Sequence, residues 1–359
     1  MNQIMLMLGT RKGVFLAFSD ESRQQWRLEG PHFKGAEIHY VTAVPETHAK
    51  GGGVTLYAAG ASAWWGPGIQ MSRDLGATWE EGEPVRFHED RGLTVERIWI
   101  LKAAGDRLLA GVDPGALFIG AGGGDWQEVR ALTDHPTRDS WGPGAGGMMV
   151  HSICCDPANA DRFYVGISAA GTFLTEDGGV SWAPKNSGVL ADFLPDKYPA
   201  VGQCVHHMEM HPEEPNTLYQ QNHCGIYRSD DGGNHWIDIS EGLPSRFGFP
   251  LAVDPNDGDT IYVVPEESSE NRATCDGAFR VYRSRDRGNQ WTALTQGLPQ
   301  TDAWVNVLRH GLCTDTFADT GIYCGTQGGQ VLIGRDRGDY WETLFNWLPP
   351  VYSVQAMKY

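Results

Sequence analysis

Long apolar runs, paired cysteines and an excess of basic charge are all missing from this 359-residue sequence. No stretch reaches the roughly 20 apolar residues that a membrane-crossing helix needs. The opening segment Met1–Gly13 has too short an apolar run and no basic lead for a secretory leader. Lys and Arg number 28 against 45 Asp and Glu, a formal net charge of −17. Phosphate backbones and anionic membranes are gripped by clustered Lys and Arg, so neither nucleic acid nor membrane is expected as a partner. The seven cysteines are an odd number and none stands in a C-x-x-C pair, which argues against a zinc knuckle and a disulfide framework. Together these absences predict a cytoplasmic protein with mostly buried free thiols.

Glycine (46 residues) and tryptophan (13) are plentiful, a mixture that favours short strands and tight turns. One phrase recurs, Ser/Thr-x-Asp-x-Gly-x-x-Trp, at Ser72–Trp79, Thr175–Trp182, Ser229–Trp236 and Ser284–Trp291, with a weaker copy at Gly334–Trp341. Decayed versions stand at Ile119–Trp126 and Ser19–Trp26. Its chemistry is that of a hairpin turn. The Asp carboxylate accepts hydrogen bonds from the turn's own N–H groups, the Gly takes a conformation other residues resist, and the Trp is buried between sheets. The Asp residues are therefore read as structural.

Around each phrase four short strands repeat, which makes one propeller blade. Innermost strands are expected near residues 38–45, 95–103, 150–157, 205–212, 249–255, 304–311 and 351–358. The last has nothing after it, and its three partners are found at the other terminus, near 5–10, 13–18 and 26–30. The fold class is thus all-β: a seven-bladed β-propeller over residues 1–359, four antiparallel strands per blade, the last blade closed by the C-terminal strand plus three N-terminal strands.

The phrases resemble those of the BNR/Asp-box propeller superfamily. Gly9-Thr10-Arg11-Lys12-Gly13, Gly30-Pro31-His32-Phe33, Ala191–Asp196, Gln220–Arg228 and Leu348–Val354 resemble, more closely, bacterial WD40/YVTN/BNR-like repeat proteins. These carry labels such as exo-alpha-sialidase or glycosyl hydrolase. The resemblance implies a propeller and a hydrolase-type label. Sialidase activity itself is not expected, because the Arg-Ile-Pro signature is absent and Arg11 and Arg97 do not make an arginine triad.

Strand order puts the Asp phrases on one face of the disc and the long segments, residues 64–68, 131–147, 185–203 and 266–277, on the other. Long loops gathered on one face mark a binding face. The residues expected around its mouth are His39, Glu96, Arg97, His151, His206, His207, Phe249, Asn306 and Tyr352. Neighbouring loops add Arg11, Lys12, Asn222, His223, Glu266 and Gln327. His39, His151, His206 and His223 are candidate ligands for a divalent transition metal, zinc or copper. As an enzyme, a hydrolase or lyase would use His151 or His206 as base and Glu96 or Glu266 as acid. Arg11, Lys12, Arg97, Asn222 and Tyr352 would hold a small-molecule or glycan-like ligand. The alternative is a non-catalytic scaffold for a ligand or protein partner, with Trp64, Trp65, Trp141 and Trp347 as stacking or anchoring groups.

Overall fold

The computed structural model describes residues 3–45, 53–62 and 66–359. Seven four-stranded antiparallel sheets stand around one axis, and six are built from consecutive strands. The seventh runs Val351–Lys358, Gln3–Thr10, Gly13–Asp20, Arg27–His32. Its closing ladder pairs Leu8 with Val354 and Leu6 with Ala356. Backbone bonds of 3.0 Å in both directions between Gln3 and Tyr359 lock the end of that seam. Closure covers the inner edge of Gln3–Thr10 with Val351–Lys358.

One expected innermost strand is misplaced. Residues 304–311 do not pair as a strand, and the inner strand of that blade is only Leu312–Thr314. The short run of β-branched and apolar residues Trp304, Val305, Val307 and Leu308 imitates a strand. Their polar groups are used otherwise: the Asn306 side chain and Val307 N–H both donate to Glu266, and Thr274 N–H donates to the Val305 carbonyl.

The Asp phrases fold as their chemistry requires. In Ser72–Trp79 the Ser72 hydroxyl accepts from Gly76 N–H at 2.8 Å and Asp74 accepts from Thr78 N–H at 2.8 Å. The same pair of bonds recurs at Thr175/Asp177, Ser229/Asp231 and Ser284/Asp286. Hydrogen bonds from Thr78 and Ser181 hold the Asp74 and Asp177 carboxyls down at about 2. The Trp that ends each phrase wedges between blades. Trp236 and Trp341 are fully buried, and the indoles of Trp236 and Trp291 donate to the Lys185 and Ile239 carbonyls of the preceding blade's outer segment.

The inner strands share one irregularity that decides the site. In six blades the ladder between first and second strands slips near the mouth, leaving one residue or two of the inner strand unpaired. The residues left out are His39, Trp99, His151, His206, Phe249 with Pro250, and Tyr352. A bulge of this kind bends the strand and re-aims a side chain. Two glycines on second strands make room for it. A Cβ on Gly111 would lie 2.4 Å from the Val150 carbonyl, and one on Gly166 would lie 2.8 Å from the Val205 side chain. Both neighbours belong to the inner strand of the following blade, so the bare backbone lets successive blades close up around the axis.

Candidate functional site

The mouth on the long-loop face opens into a cavity of about 500 Å³. Five of the bulged residues, His39, Trp99, His206, Phe249 and Tyr352, face it. Crossing segments between blades supply Pro143–Gly146, Phe193, Phe247 and Leu308–Arg309, and the loop after Glu266 supplies Arg272.

His206 is the most constrained of these. Its Nδ1 lies 2.6 Å from the Gly248 carbonyl. A carbonyl can only accept, so Nδ1 carries the proton and Nε2 keeps its lone pair. The ring is stacked on Phe249 at 4.7 Å, and burial pulls its pKa well below the usual range, so it is neutral. Cys204 comes two residues earlier, and its carbonyl accepts the N–H of His223 at 2.9 Å. That bond brings the turn after Leu218–Asn222 against the start of Val205–Met210. Cys204, His206 and His223 offer ligand atoms that all lie within 4.8 Å of one another. Burial raises the Cys204 thiol and lowers His223, the latter opposed by Asp192. Cysteine and imidazole are the donor set that zinc and copper(I) prefer, so this cluster could hold such an ion.

Charge on the wall is lopsided. Arg97 pairs with Asp113 at 3.2 Å. Glu37 is the one carboxylate lining the cavity among the described residues, and it is 3.4 Å from Arg11 and also bonded by Tyr352. Arg272 and Arg309 lie over the Phe249 ring, 5.5 and 5.0 Å from its centroid, and neither has a carboxylate partner among the described residues. Arg309 is half-buried with its Nε unsatisfied, and burial draws its pKa down to about 10. Across the cavity His39 lies between Trp99 (4.7 Å) and Tyr352 (5.6 Å, stacked). Burial, aided by Arg97, lowers its pKa to about 4, so it too is neutral.

The sequence-derived candidates divide accordingly. His39, His206, His223, Arg97, Phe249 and Tyr352 are on the wall. His39 and His151 are not part of the ligand cluster; Cys204 stands there instead. His151 is bulged like the others but fully buried, with Nε2 3.4 Å from Ser168 Oγ, while Met149 of the same strand lines the wall. His207, on the other side of the bulge, turns away to Glu209 at 2.9 Å. Glu266 is buried behind the wall, where Asn306 (2.9 and 2.8 Å) and Val307 (3.0 Å) donate to it, and burial raises it to about 7. It braces a crossing and does not face a ligand. Glu96 is exposed outside the cavity, its N–H on the Asp113 carbonyl. Arg11 and Lys12 sit on an exposed turn, and Asn222 is buried in its own turn, accepting from Cys224 N–H at 3.4 Å. Asn306 serves Glu266 and Gln327 bonds the Val351 carbonyl, so neither lines the cavity. Trp141 packs on Phe173 at 5.0 Å as core. Trp347 is 93% exposed on the same face, and Trp64 and Trp65 lie outside the described residues.

Cys204, Trp99, Arg272 and Arg309 were not legible as site residues. Cys204 and His206 do form a Cys-x-His spacing at a strand start, which is a usable signal. Arg309 appears at the mouth only once residues 304–311 are known to be a crossing.

No family model matches the chain. A xyloglucanase from Paenibacillus sp. is 25% identical over 206 residues, 52% of this chain and 18% of the relative. A xyloglucanase from Hypocrea jecorina is 23% identical over 273 residues, 74% of this chain and 27% of the relative. The chain therefore spans less than a third of either. Among solved structures, an ancestral GH74 enzyme superposes with a TM-score of 0.59 at 19% identity over 86% of this chain and 38% of its own. Apo AztD from Citrobacter koseri gives 0.55 at 12% identity over 99% and 98%. YCF48 bound to a D1 peptide gives 0.51 at 13% over 85% of each. These similarities establish the propeller. The distant sequence similarity to xyloglucanases is to hydrolases.

Proposed function

We propose that the cavity at the mouth is the active site of a hydrolase acting on a small polar or glycan-like molecule, with a transition metal held by Cys204, His206 and His223. The observation carrying this reading is the convergence of three potential ligand residues from two chain segments, one of them an imidazole whose Nε2 keeps its lone pair. A tetrahedral ion with bonds of about 2.0–2.3 Å needs donors roughly 3.5 Å apart. The cluster needs only a small closure to meet that. Three protein ligands leave a coordination position free, and an ion so held supplies Lewis acidity at that position. His206 would be oriented by Gly248, and Phe193 and Phe247 would keep water from the far side of His223. The distant xyloglucanases support the hydrolase class. With Glu37 as the lone lining carboxylate among the described residues, the carboxylate pair of ordinary glycoside hydrolysis is not what this wall offers.

The test is elemental analysis of the purified protein beside Cys204→Ser and His206→Ala variants, with hydrolysis of an ester and glycoside panel measured in parallel. Near one zinc or copper per chain, lost in both variants together with turnover, is expected. No retained metal after loading would remove the metal mechanism. A second reading, a docking platform for a protein, is favoured by the bare aromatics of this face: Trp347, Tyr198 and Trp304 are 93, 62 and 61% exposed.

A further inference from the structure

The two guanidiniums over Phe249 have no role in the fold that accounts for them. Several other buried or half-buried arginines reach a carboxylate: Arg23 to Asp315, Arg162 to Asp156, Arg283 to Asp339 and Arg335 to Glu342. Arg272 makes one bond, from Nε to the Ser269 carbonyl. Arg309 makes none among the described residues and leaves Nε buried without an acceptor. The buried Glu266 carboxyl lies near Arg309 but makes no ion pair with it, and it already accepts from Asn306 and Val307. A half-buried cation without a counter-charge is costly. The exposed Arg272 guanidinium over the same ring adds repulsion. Such an arrangement is relieved by an anion entering from solvent, and guanidinium groups suit planar or tetrahedral oxyanions because they donate in parallel pairs.

We infer that the cavity binds an anionic ligand, a carboxylate or phosphate, through Arg309 and Arg272, with an apolar portion against Phe193, Phe247 and Phe249. The inference rests on the cavity being the site proposed above but not on the metal. Phe249 joins the two features: His206 is stacked on the ring that the guanidiniums cover, so an anion held by the arginines is brought beside the Cys204–His206–His223 cluster. Arg97, across the mouth and already paired with Asp113, sets the sign of the field without offering a vacant donor pair. A neutral oligosaccharide would leave both charges unpaired.

Isothermal titration of the full chain, stripped of metal with chelator, tests this with three probes of similar shape: benzoate, phenyl phosphate and neutral benzyl alcohol. Binding of one or both anions and not of the alcohol is expected, and which anion binds distinguishes a carboxylate ligand from a phosphate one. Arg309→Gln and Arg272→Gln should each weaken the anion about tenfold or more, as loss of a charged hydrogen bond does. Absence of anion binding overturns the inference. So does equal binding of benzyl alcohol, or parent-like affinity in Arg309→Gln. If Arg309→Gln fails to fold, the exposed Arg272 decides alone, and unchanged affinity in Arg272→Gln overturns it. Anion binding that appears only in metal-loaded protein would make the ion the receptor and likewise overturn it. Failure of the metal reading shows up separately, as absence of metal in the elemental analysis.

Discussion

Replacing Glu266 with Gln should make the protein less sensitive to rising pH, by an amount the structure sets. Burial raises this carboxyl from 4.5 to about 7 in the folded chain. Below pH 4.5 it is protonated both folded and unfolded, and it contributes no pH dependence. Between the two values the unfolded chain has released the proton and the folded chain still holds it, so stability falls as pH rises. At 1.36 kcal/mol per tenfold change in acidity the fall totals about 3 kcal/mol by pH 7. Glutamine fills the same space and never ionises. It keeps an oxygen for Val307 N–H, and Asn306 can present its own oxygen to the new amide. The stability of Glu266→Gln relative to the parent should therefore climb by about 3 kcal/mol from pH 4.5 to pH 7 and then level off. Denaturant unfolding followed by tryptophan fluorescence at half-unit steps of pH measures it. A stability difference that stays flat across that range would refute the reasoning, since Glu266 would then ionise alike in both states.

His39 should act in the opposite sense. Its folded value of about 4 lies below the ordinary 6.5, so its contribution is present above pH 6.5 and is lost on acidification toward pH 4. A His39→Gln variant should lose that part of the acid sensitivity in the same unfolding series. Among the tryptophans, Trp341→Ala should cost about 3–5 kcal/mol because the buried ring leaves a cavity, whereas Trp347→Ala, bare to solvent, should change stability by no more than about 0.5 kcal/mol. Thermal denaturation of the two variants side by side separates them.

Much of the fold was legible because its signals are local. Each Asp phrase is a complete turn within eight residues, and counting strands outward from four sound copies located the missing partners of Val351–Lys358 at the other terminus. The site was only half legible because its residues are placed by exceptions to the ladder. Alternation with a period of two says which face a residue takes only while pairing is unbroken. One unpaired residue turns His206 into the cavity and sends His207 toward Glu209. The apolar run within residues 304–311 imitated a strand and so hid Arg309. Glu266 has the composition of a site residue, but its hydrogen bonds are spent inside the fold, and Asn222 is buried in its own turn, which only the three-dimensional structure reveals. Gly111 and Gly166, across from bulged positions, were the unused hint: a glycine within an apolar strand marks a close approach of backbone.

The seam between Gln3–Thr10 and Val351–Lys358 imposes an order in time. Strands made first must wait for the strand made last, and ribosomal synthesis of the intervening chain takes on the order of tens of seconds. Through that interval the hairpin of Gln3–Thr10 and Gly13–Asp20 offers an apolar edge, Ile4 to Leu8, to any strand that meets it. Six blades can form while the chain is still growing, but the axial cavity has no complete wall until Tyr352 arrives. The wall of the cavity is therefore completed only when Val351–Lys358 joins the sheet, and a chain stalled before residue 351 would display an open edge and no finished pocket.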